Sequence, residues 1–520
     1  MKTITTLVLA LTCTLNFAQN TTILDQNNVG AILNTNGVFF NDISNNNASG
    51  YTIPKDSTTS VINSSSFWFG GLDSNDSLHL AGKIYGNGND YFCGPIASNY
   101  TATDYINLYE DKFWKISNIE VTDHISNYQQ TNYVVPTVIS EWPANGQISL
   151  GVSNDMAPYI DVNNNGFYDP VNGDYPNIRG DMAVYIIMND DADSHSETGG
   201  EKLGMEFHYM FYQFNSNDYL DSTTFINLKV INRSVNTYFD FKVGYYVNHD
   251  IGYYDDDYAG CSPEDNLMFG YNSDSVDGWS PVGTGGVSNN PPAIGVKLLN
   301  HELDIFSNVT LSEFFPGPVT ALEYWNLMNA NWHSGLPFTY GGNGMNGSSP
   351  TNYIYPGSLT DPLEWSQVSE NSVVAGSRML GVAEAYTIFP NQSICYDYAV
   401  LYNRSEGNNI DNAIGLKSLS TQVQSYFDSQ VDYNCQNIGL GTVDKSVTNF
   451  EMYPNPSNGE INLSANSNFD VTIYSINGEV VYSKVNVNSN VVLNLDVTTG
   501  VYFVKVRKDN STLTKKLIIR

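Results

Sequence analysis

Runs of β-branched and aromatic residues, cut short by Asn, Gly and Asp clusters, recur through this sequence and leave little room for helices. Phe225-Ile-Asn-Leu-Lys-Val-Ile231, Phe239-Asp-Phe-Lys-Val-Gly-Tyr-Tyr-Val247 and Ile394-Cys-Tyr-Asp-Tyr-Ala-Val-Leu-Tyr402 are of this kind. An extended chain points successive side chains to opposite faces, and branched or aromatic residues pack well on a pleated surface. These segments therefore predict strands. Helical signals are sparse. Thr320-Ala-Leu-Glu323 is a capping box, with Ala321, Trp325, Met328 and Trp332 at helical spacing up to Gly335. That stripe is the core-facing side of a helix. A second helix is expected from about Ile410 to Phe427. The fold class that follows is mainly β and multi-domain, rich in β-sandwiches and poor in helices.

The C-terminus is the most legible part. Asp470-Val-Thr-Ile-Tyr-Ser475, Glu479-Val-Val-Tyr482, Val491-Val-Leu-Asn-Leu495, Val501-Tyr-Phe-Val-Lys-Val506 and Leu513 to Ile519 are short strand-like runs. Asn477-Gly478 between the first two is a strong hairpin signal, since both residues tolerate positive φ. Tyr502, Val504 and Val506 fall on one face, and Lys505 and Arg507 on the other. A small antiparallel, Ig-like sandwich is expected over residues 450–520.

Four motifs in order carry a resemblance: Tyr453-Pro454-Asn455-Pro456, Ile473-Tyr-Ser-Ile-Asn-Gly478, Gly500-Val-Tyr-Phe-Val-Lys-Val506 and Lys515-Lys-Leu-Ile-Ile-Arg520. Together they resemble the C-terminal sorting domain of the type IX secretion system of Bacteroidetes-type bacteria, with Ser475 where that family usually has Asp. The resemblance implies that the type IX translocon is a partner, reading this domain to carry the chain across the outer membrane. At the other end, Lys2, the apolar run from Ile4 to Leu15 and Asn16-Phe17-Ala18 predict a secretory signal peptide over residues 1–18. That run is too short to span a bilayer, and no later stretch is long and apolar enough. The expected location is the cell surface or the medium, reached through the periplasm.

Between the ends lies a passenger, residues 19–435, joined by a linker, 436–449. A single core is implausible at that length, which argues for a split near residue 175. The passenger resembles a group of long, uncharacterised secreted Bacteroidetes proteins. The resemblance rests on Phe67-Trp-Phe-Gly-Gly71, Gly88-Asn-Asp-Tyr91 through Gly94-Pro95, the loop through Asp174-Tyr-Pro176, Glu197-Thr-Gly-Gly200 and Asp255 through Cys261. Four cysteines, Cys93, Cys261, Cys395 and Cys435, remain after the signal, and an oxidising compartment permits one or two disulfides in any of the possible pairings.

The chain has 54 acidic against 22 basic residues, a net charge of −32. The tail, 450–520, holds 7 basic and 6 acidic residues, so the acidity belongs to the passenger. Nucleic acid and anionic membranes are excluded as direct partners, because both require clustered Lys and Arg. A cation is the natural ligand. Asp161, Asn163, Asn165 and Asp169 place oxygen side chains at positions 1, 3, 5 and 9 of a loop with Gly166 at position 6, the register of a calcium site. Phe167 at position 7 would give its carbonyl. Position 12 is Asn172 rather than a bidentate Glu, so Asp174 is expected to supply the missing carboxylate.

Two further acidic groups, Asp190-Asp191-Ala-Asp193-Ser-His195-Ser-Glu197 and Asp255-Asp256-Asp257, read as solvated loops. Sequence signatures of catalysis are missing: His301-Glu302 lacks a second His, and Gly342-Asn-Gly344-Met-Asn-Gly347 precedes Ser348-Ser-Pro350, which cannot open a nucleotide-binding helix. Glu206 and His208 share one face of a strand-like run and are the best lone candidates for catalysis, with a structural role the preferred reading. The sequence thus points to an exported, calcium-stabilised binding or adhesion protein whose extracellular ligand is a glycan or a protein. The alternative is a secreted hydrolase of polysaccharide or peptide. Deleting residues 450–520 should trap the protein in the periplasm, as measured by immunoblotting of cell fractions; undiminished protein in the medium would refute the role given to the tail.

Overall fold

The computed structural model describes residues 21–430, Tyr433 and 451–520, apart from 85–87, 279–284, 310–316, 346, 373–375, 466–467, 476–479, 496 and 509–510. The expected signal peptide, most of the linker, Cys435 and the Asn477-Gly478 turn lie outside the described residues. The protein is mainly β, and it divides into two compact units, 1–440 and 441–520.

Two nine-stranded sheets dominate the first unit, which also holds three two-stranded ribbons among its described residues. The first sheet runs in the order Thr21–Leu24, Gly30–Asn34, Tyr51–Thr52, Ser60–Leu72, Tyr238–His249, Met379–Ala383 and Leu303–Asn308. Two short strands pair beside this path, Leu78–Ala81 on Ser60–Leu72 and Tyr386–Ile388 on Tyr238–His249. The second sheet runs Asp257–Ser262, Leu267–Asn272, Ala293–Leu298, Ser393–Asn403, Thr223–Asn232, Met205–Gln213, Met182–Asn189 and Phe92–Cys93, with Trp114–Ser117 also on Met182–Asn189. All these pairings are antiparallel.

Aromatic side chains join the sheets. Phe67 stacks on Tyr245 of its own sheet at 4.2 Å and meets Tyr209 and Tyr398 of the other at 5.7 and 5.3 Å. Phe69 stacks on Phe207 across the interface at 4.1 Å. Such contacts add to the large area that each ring removes from water. The opposite face of the second sheet is also covered. Tyr185, Met210, Tyr212 and Phe225 pack there with Trp114, Trp142, Val121 and Val423 from the segment 94–157 and the helix Asn409–Asp428. All nine residues of Met205–Gln213 are therefore buried.

Residue 175 does not divide the passenger. Strands before it, Phe92–Cys93 and Trp114–Ser117, pair with Met182–Asn189 after it, and Ser60–Leu72 pairs with Tyr238–His249. Each sheet is completed only by strands from both sides of that point, so the expected split is replaced by one continuous layered body. The helix Ala321–Leu327 begins on the Thr320–Glu323 capping box but stops well short of Gly335. Ala330 adopts φ +53, and Asn329 turns its amide back to the Trp325 carbonyl, so the chain leaves the helix there. Trp332 still packs, against Phe338 at 4.8 Å, from a turn rather than a helix. The second helix, Asn409–Asp428, starts on an Asn408–Asp411 capping box.

In the second unit a three-stranded sheet, Glu451–Tyr453, Glu460–Ser464 and Asn490–Asn494, accompanies a four-stranded one. The latter orders Val480–Val487, Phe469–Ser475, Gly500–Lys508 and Ser511–Ile519. Tyr502, Val504 and Val506 are buried with Ile461, Val471, Ile473 and Leu517, while Lys505 is exposed. The period-two pattern read from the sequence thus sets the inward face.

Phe67→Ala should destabilise the first unit by roughly 3–5 kcal/mol, because the ring leaves a cavity between two sheets. Urea unfolding followed by tryptophan fluorescence measures it; a loss below about 1 kcal/mol would contradict the central place given to this ring.

Candidate functional site

Residues 161–174 form an exposed loop between two short paired strands, Tyr159–Ile160 and Tyr175–Pro176. Asn164 at φ +58 and Gly166 at φ +80 make the sharp bend; nothing lies within 4 Å of where a Gly166 Cβ would stand, so backbone conformation and not crowding selects glycine. The bend folds positions 1, 3, 5 and 9 onto one another. Asp161 accepts from Asn165 N at 3.2 Å and Gly166 N at 2.7 Å. The side-chain amides of Asn163 and Asn165 both donate to Asp169 at 3.0 Å. Asp174 is fully buried and accepts from Val162 N and Asp169 N, each at 2.9 Å. It closes the loop from below.

Hydrogen bonding, led by Asn172, holds Asp169 below the usual carboxylate range, whereas burial pushes Asp174 above it. The Phe167 ring points outward and is 67% exposed, and Val162 and Val171 on the same loop are also exposed. The loop therefore gathers an oxygen-rich interior and shows an apolar exterior. Among the described residues, no three His, Cys, Asp or Glu side chains are grouped as a ready-made metal centre. A calcium set here would combine Asp161, Asp169 and Asp174 with the amide oxygens of Asn163 and Asn165 and the Phe167 carbonyl. The two amide oxygens now accept from Asn165 N at 3.0 Å and Phe167 N at 2.8 Å, so presenting them to an ion requires each amide to give up its bond to Asp169 and turn.

Glu206 and His208 do come together, on the covered face of the second sheet. His208 Nε2 lies 2.8 Å from Glu206 Oε1, and its Nδ1 lies 2.7 Å from the Tyr185 hydroxyl. Arg233 donates to the same Glu206 oxygen at 2.9 Å, and Ile96 N donates to the other at 2.9 Å. Burial opposes the Glu206 charge, but His208 and Arg233 outweigh it and hold the carboxyl at about 2. Burial holds His208 below its ordinary value. Both residues are closed over by the segment that includes Ile96, and the group acts as a satisfied polar link between that segment and the sheet.

The acidic run 190–197 is also drawn inward. Both His195 ring nitrogens face backbone carbonyls, Leu80 O at 2.7 Å and Asp190 O at 2.9 Å, which leaves neither free to bind a metal. Asp190 in turn accepts from Leu203 N and Met205 N, each at 2.6 Å. Cys93 and Cys261 are free thiols, and Cys395 is disulfide-bonded. Burial pushes the Cys93 thiol up to about 11, which makes it a poor nucleophile.

Sequence reasoning missed an open groove of about 690 Å³ beside the helix Asn409–Asp428. Glu264, Asp265, Glu302, Glu384 and Asp428 line it together with His301. His301 lies 2.8 Å from the Cys395 carbonyl and 3.0 Å from the Tyr386 hydroxyl, which itself donates to Glu384. These residues are far apart in the chain, and no local motif announces them.

The chain carries a type IX secretion tail: the sequence profile of the secretion system C-terminal sorting domain matches residues 451–520. The protein is therefore one exported to the cell surface or the extracellular space, and its tail is read by the type IX machinery. No described helix is long and apolar enough to cross a membrane. Comparison with curated proteins finds no match in sequence. Among solved structures, a polysaccharide lyase is 7% identical with a TM-score of 0.20, over 60% of this chain and 34% of the lyase. The adhesin domain of Epf from Streptococcus pyogenes is 7% identical with a TM-score of 0.13, over 65% of this chain and 91% of the adhesin. PorZ, a surface component of the type IX secretion system of Porphyromonas gingivalis, is 11% identical with a TM-score of 0.13, over 65% and 50%. The chain spans about a third of the lyase, and likeness at these scores carries no argument about activity.

Glu206→Gln should destabilise the protein by roughly 3–5 kcal/mol at neutral pH, since it leaves Arg233 without its buried counter-charge and weakens the acceptor that His208 faces. A carboxyl whose folded value is about 2 against an ordinary 4.5 gives stability that is present above pH 4.5 and lost as pH falls toward 2. The variant should lose that part of the acid limb in melting curves recorded from pH 6 downwards; an unchanged acid limb would remove Glu206 from it.

Proposed function

We propose that the exported passenger is a calcium-stabilised binding protein that engages a glycan or protein outside the cell and carries out no catalysis of its own. The observation that carries this reading is the convergence of Asp161, Asn163, Asn165 and Asp169 around one bend, closed by Asp174. A hard cation matches that all-oxygen set, and it would fix a loop that holds Val162, Phe167 and Val171 out to solvent. Rigid apolar side chains over an ordered loop make a contact surface at low entropic cost. The sealing of Glu206 and His208 supports binding over hydrolysis. A hydrolase would draw instead on the open groove, where Glu302, Glu384 and His301 meet solvent. Loss of turnover on a glycan or peptide panel in Glu384→Gln would favour that second reading.

Stripping calcium with a chelator should lower the melting temperature of the full chain. Asp161→Ala should reduce the calcium bound at saturation by one equivalent, measured by equilibrium dialysis. Phe167→Ser should keep that equivalent while weakening capture on a glycan and protein array. Equal calcium stoichiometry in Asp161→Ala and the parent would overturn the loop as a calcium site.

A further inference from the structure

The run Asp255-Asp256-Asp257 does not end in solvent. Asp257 opens the edge strand Asp257–Ser262 and is 1% exposed; its cross-strand partner in the register is Asn272, which is fully buried. Directly opposed residues of an antiparallel pair carry neighbouring side chains on one face, with Cβ atoms about 5 Å apart. Asp257 spends one oxygen on Ile251 N at 2.9 Å, and Asn272 spends its amide hydrogens on the Asp274 carbonyl at 3.1 Å. The remaining oxygen of each is buried without a hydrogen-bond partner. Asp256 repeats the pattern: one oxygen accepts from Gly278 N at 3.0 Å, and the other is buried without a partner. The backbone ties these residues together, since Ser273 N donates to the Asp256 carbonyl at 2.8 Å.

Three buried acceptors with no donor are costly, and they lie in a strongly negative field. Asp250 and Asp277 act on Asp257 through charge, and Asp274 and Asp277 act on Asp256. Asp277 is fully buried, with its oxygens turned to Tyr253 N and Val287 N. Neither nearby arginine is hydrogen-bonded to these oxygens, although the Nε of Arg378 is itself buried without a partner. Arg404 donates to the Asn289 and Asn290 carbonyls, and Arg378 donates to the Ser377 carbonyl. His249 offers no charge, because burial and Arg378 push it down to about 3, and its Nε2 faces the Tyr258 carbonyl. Among the described residues no basic side chain makes an ion pair with Asp256 or Asp257, although Arg378 and Arg404 lie close enough to act on Asp250 and Asp277 through charge.

We propose that Asp256, Asp257 and Asn272 bind a calcium ion at this end of the second sheet. The ligands are oxygen alone, which selects a hard cation over zinc or copper. Two carboxylates and one amide leave further positions for backbone carbonyls and water, as the six to eight ligands of calcium require. One ion would satisfy the unpaired oxygens together, where a single proton would serve only one carboxylate and its immediate neighbour. The site is separate in residues from the loop 161–174, so either can stand without the other.

The test uses the full chain carrying Asp161→Ala, stripped of metal and then titrated with calcium by equilibrium dialysis and with terbium by sensitised luminescence. One equivalent should remain in that background. Adding Asp257→Asn should remove it or weaken it at least tenfold, and Asp256→Asn should do the same should the first variant misfold. The metal-free Asp257→Asn protein should also melt higher than its metal-free parent, because a repelled buried charge is gone, and calcium should no longer raise its melting temperature. A residue with only a structural role would lower the metal-free melting temperature instead. The proposal is overturned if both variants keep the parent's calcium stoichiometry. It is equally overturned if the Asp161→Ala background binds no calcium while acidification alone stabilises it, which would assign a proton to the cluster.

Discussion

The second sheet is buried on both faces, and most of the passenger's architecture follows from that constraint. Its strand Met205–Gln213 presents Phe207, Tyr209 and Phe211 to the first sheet, and Glu206, His208, Met210 and Tyr212 to a covering layer. A sheet with one wet face would leave the second set to solvent. Here the segment 94–157 and the helix Asn409–Asp428 must close over it, and every charge they enclose needs a partner within reach. Glu206 finds His208 and Arg233, and Asp397 finds Arg179 at 2.6 Å. These pairs fix where the covering layer sits more than they add net stability.

The same constraint separates polar groups whose partners lie within the fold from polar groups that the fold leaves uncompensated. Glu206 and His208 have their hydrogen-bonding atoms matched by protein partners, and His195 is enclosed between two backbone carbonyls; all three lie under cover. The loop 161–174 matches its groups largely among themselves and at the surface. At Asp256, Asp257 and Asn272 the matching is incomplete. Acidity in this protein is thus of two kinds, compensated in the covered layer and uncompensated at loops and one sheet edge.

Much of the fold was legible in local patterns. The run 225–231 falls within Thr223–Asn232, 239–247 within Tyr238–His249 and 394–402 within Ser393–Asn403, because branched and aromatic side chains favour extended backbone. The Thr320–Glu323 capping box marks a true helix start, and the helix expected from about Ile410 to Phe427 falls within Asn409–Asp428. The end of the first helix was not legible, since its apolar spacing continues while Ala330 turns the backbone away. The sharp bend of the loop 161–174 could be read because its Asn and Gly turn signals lie within a dozen residues. The open groove could not, as His301 and Glu384 meet only when their strands are aligned.

The sequence by itself determined the elements that short-range chemistry controls. These are the strand faces, the helix caps, the calcium-like register of Asp161 to Asp169 and the sorting tail matched over 451–520. Tertiary structure decided which distant segments share a neighbourhood. Ile96 meets Glu206 and Arg179 meets Asp397, and strands on both sides of residue 175 complete the same sheets. The physical reason is that backbone preference acts over a few residues. Burial of a sheet face and compensation of a hidden charge are satisfied only by the whole assembled body. The solvated loop expected at Asp255–Asp257 shows the difference, because its charge pattern was plain in the sequence and its burial beside Asn272 was not.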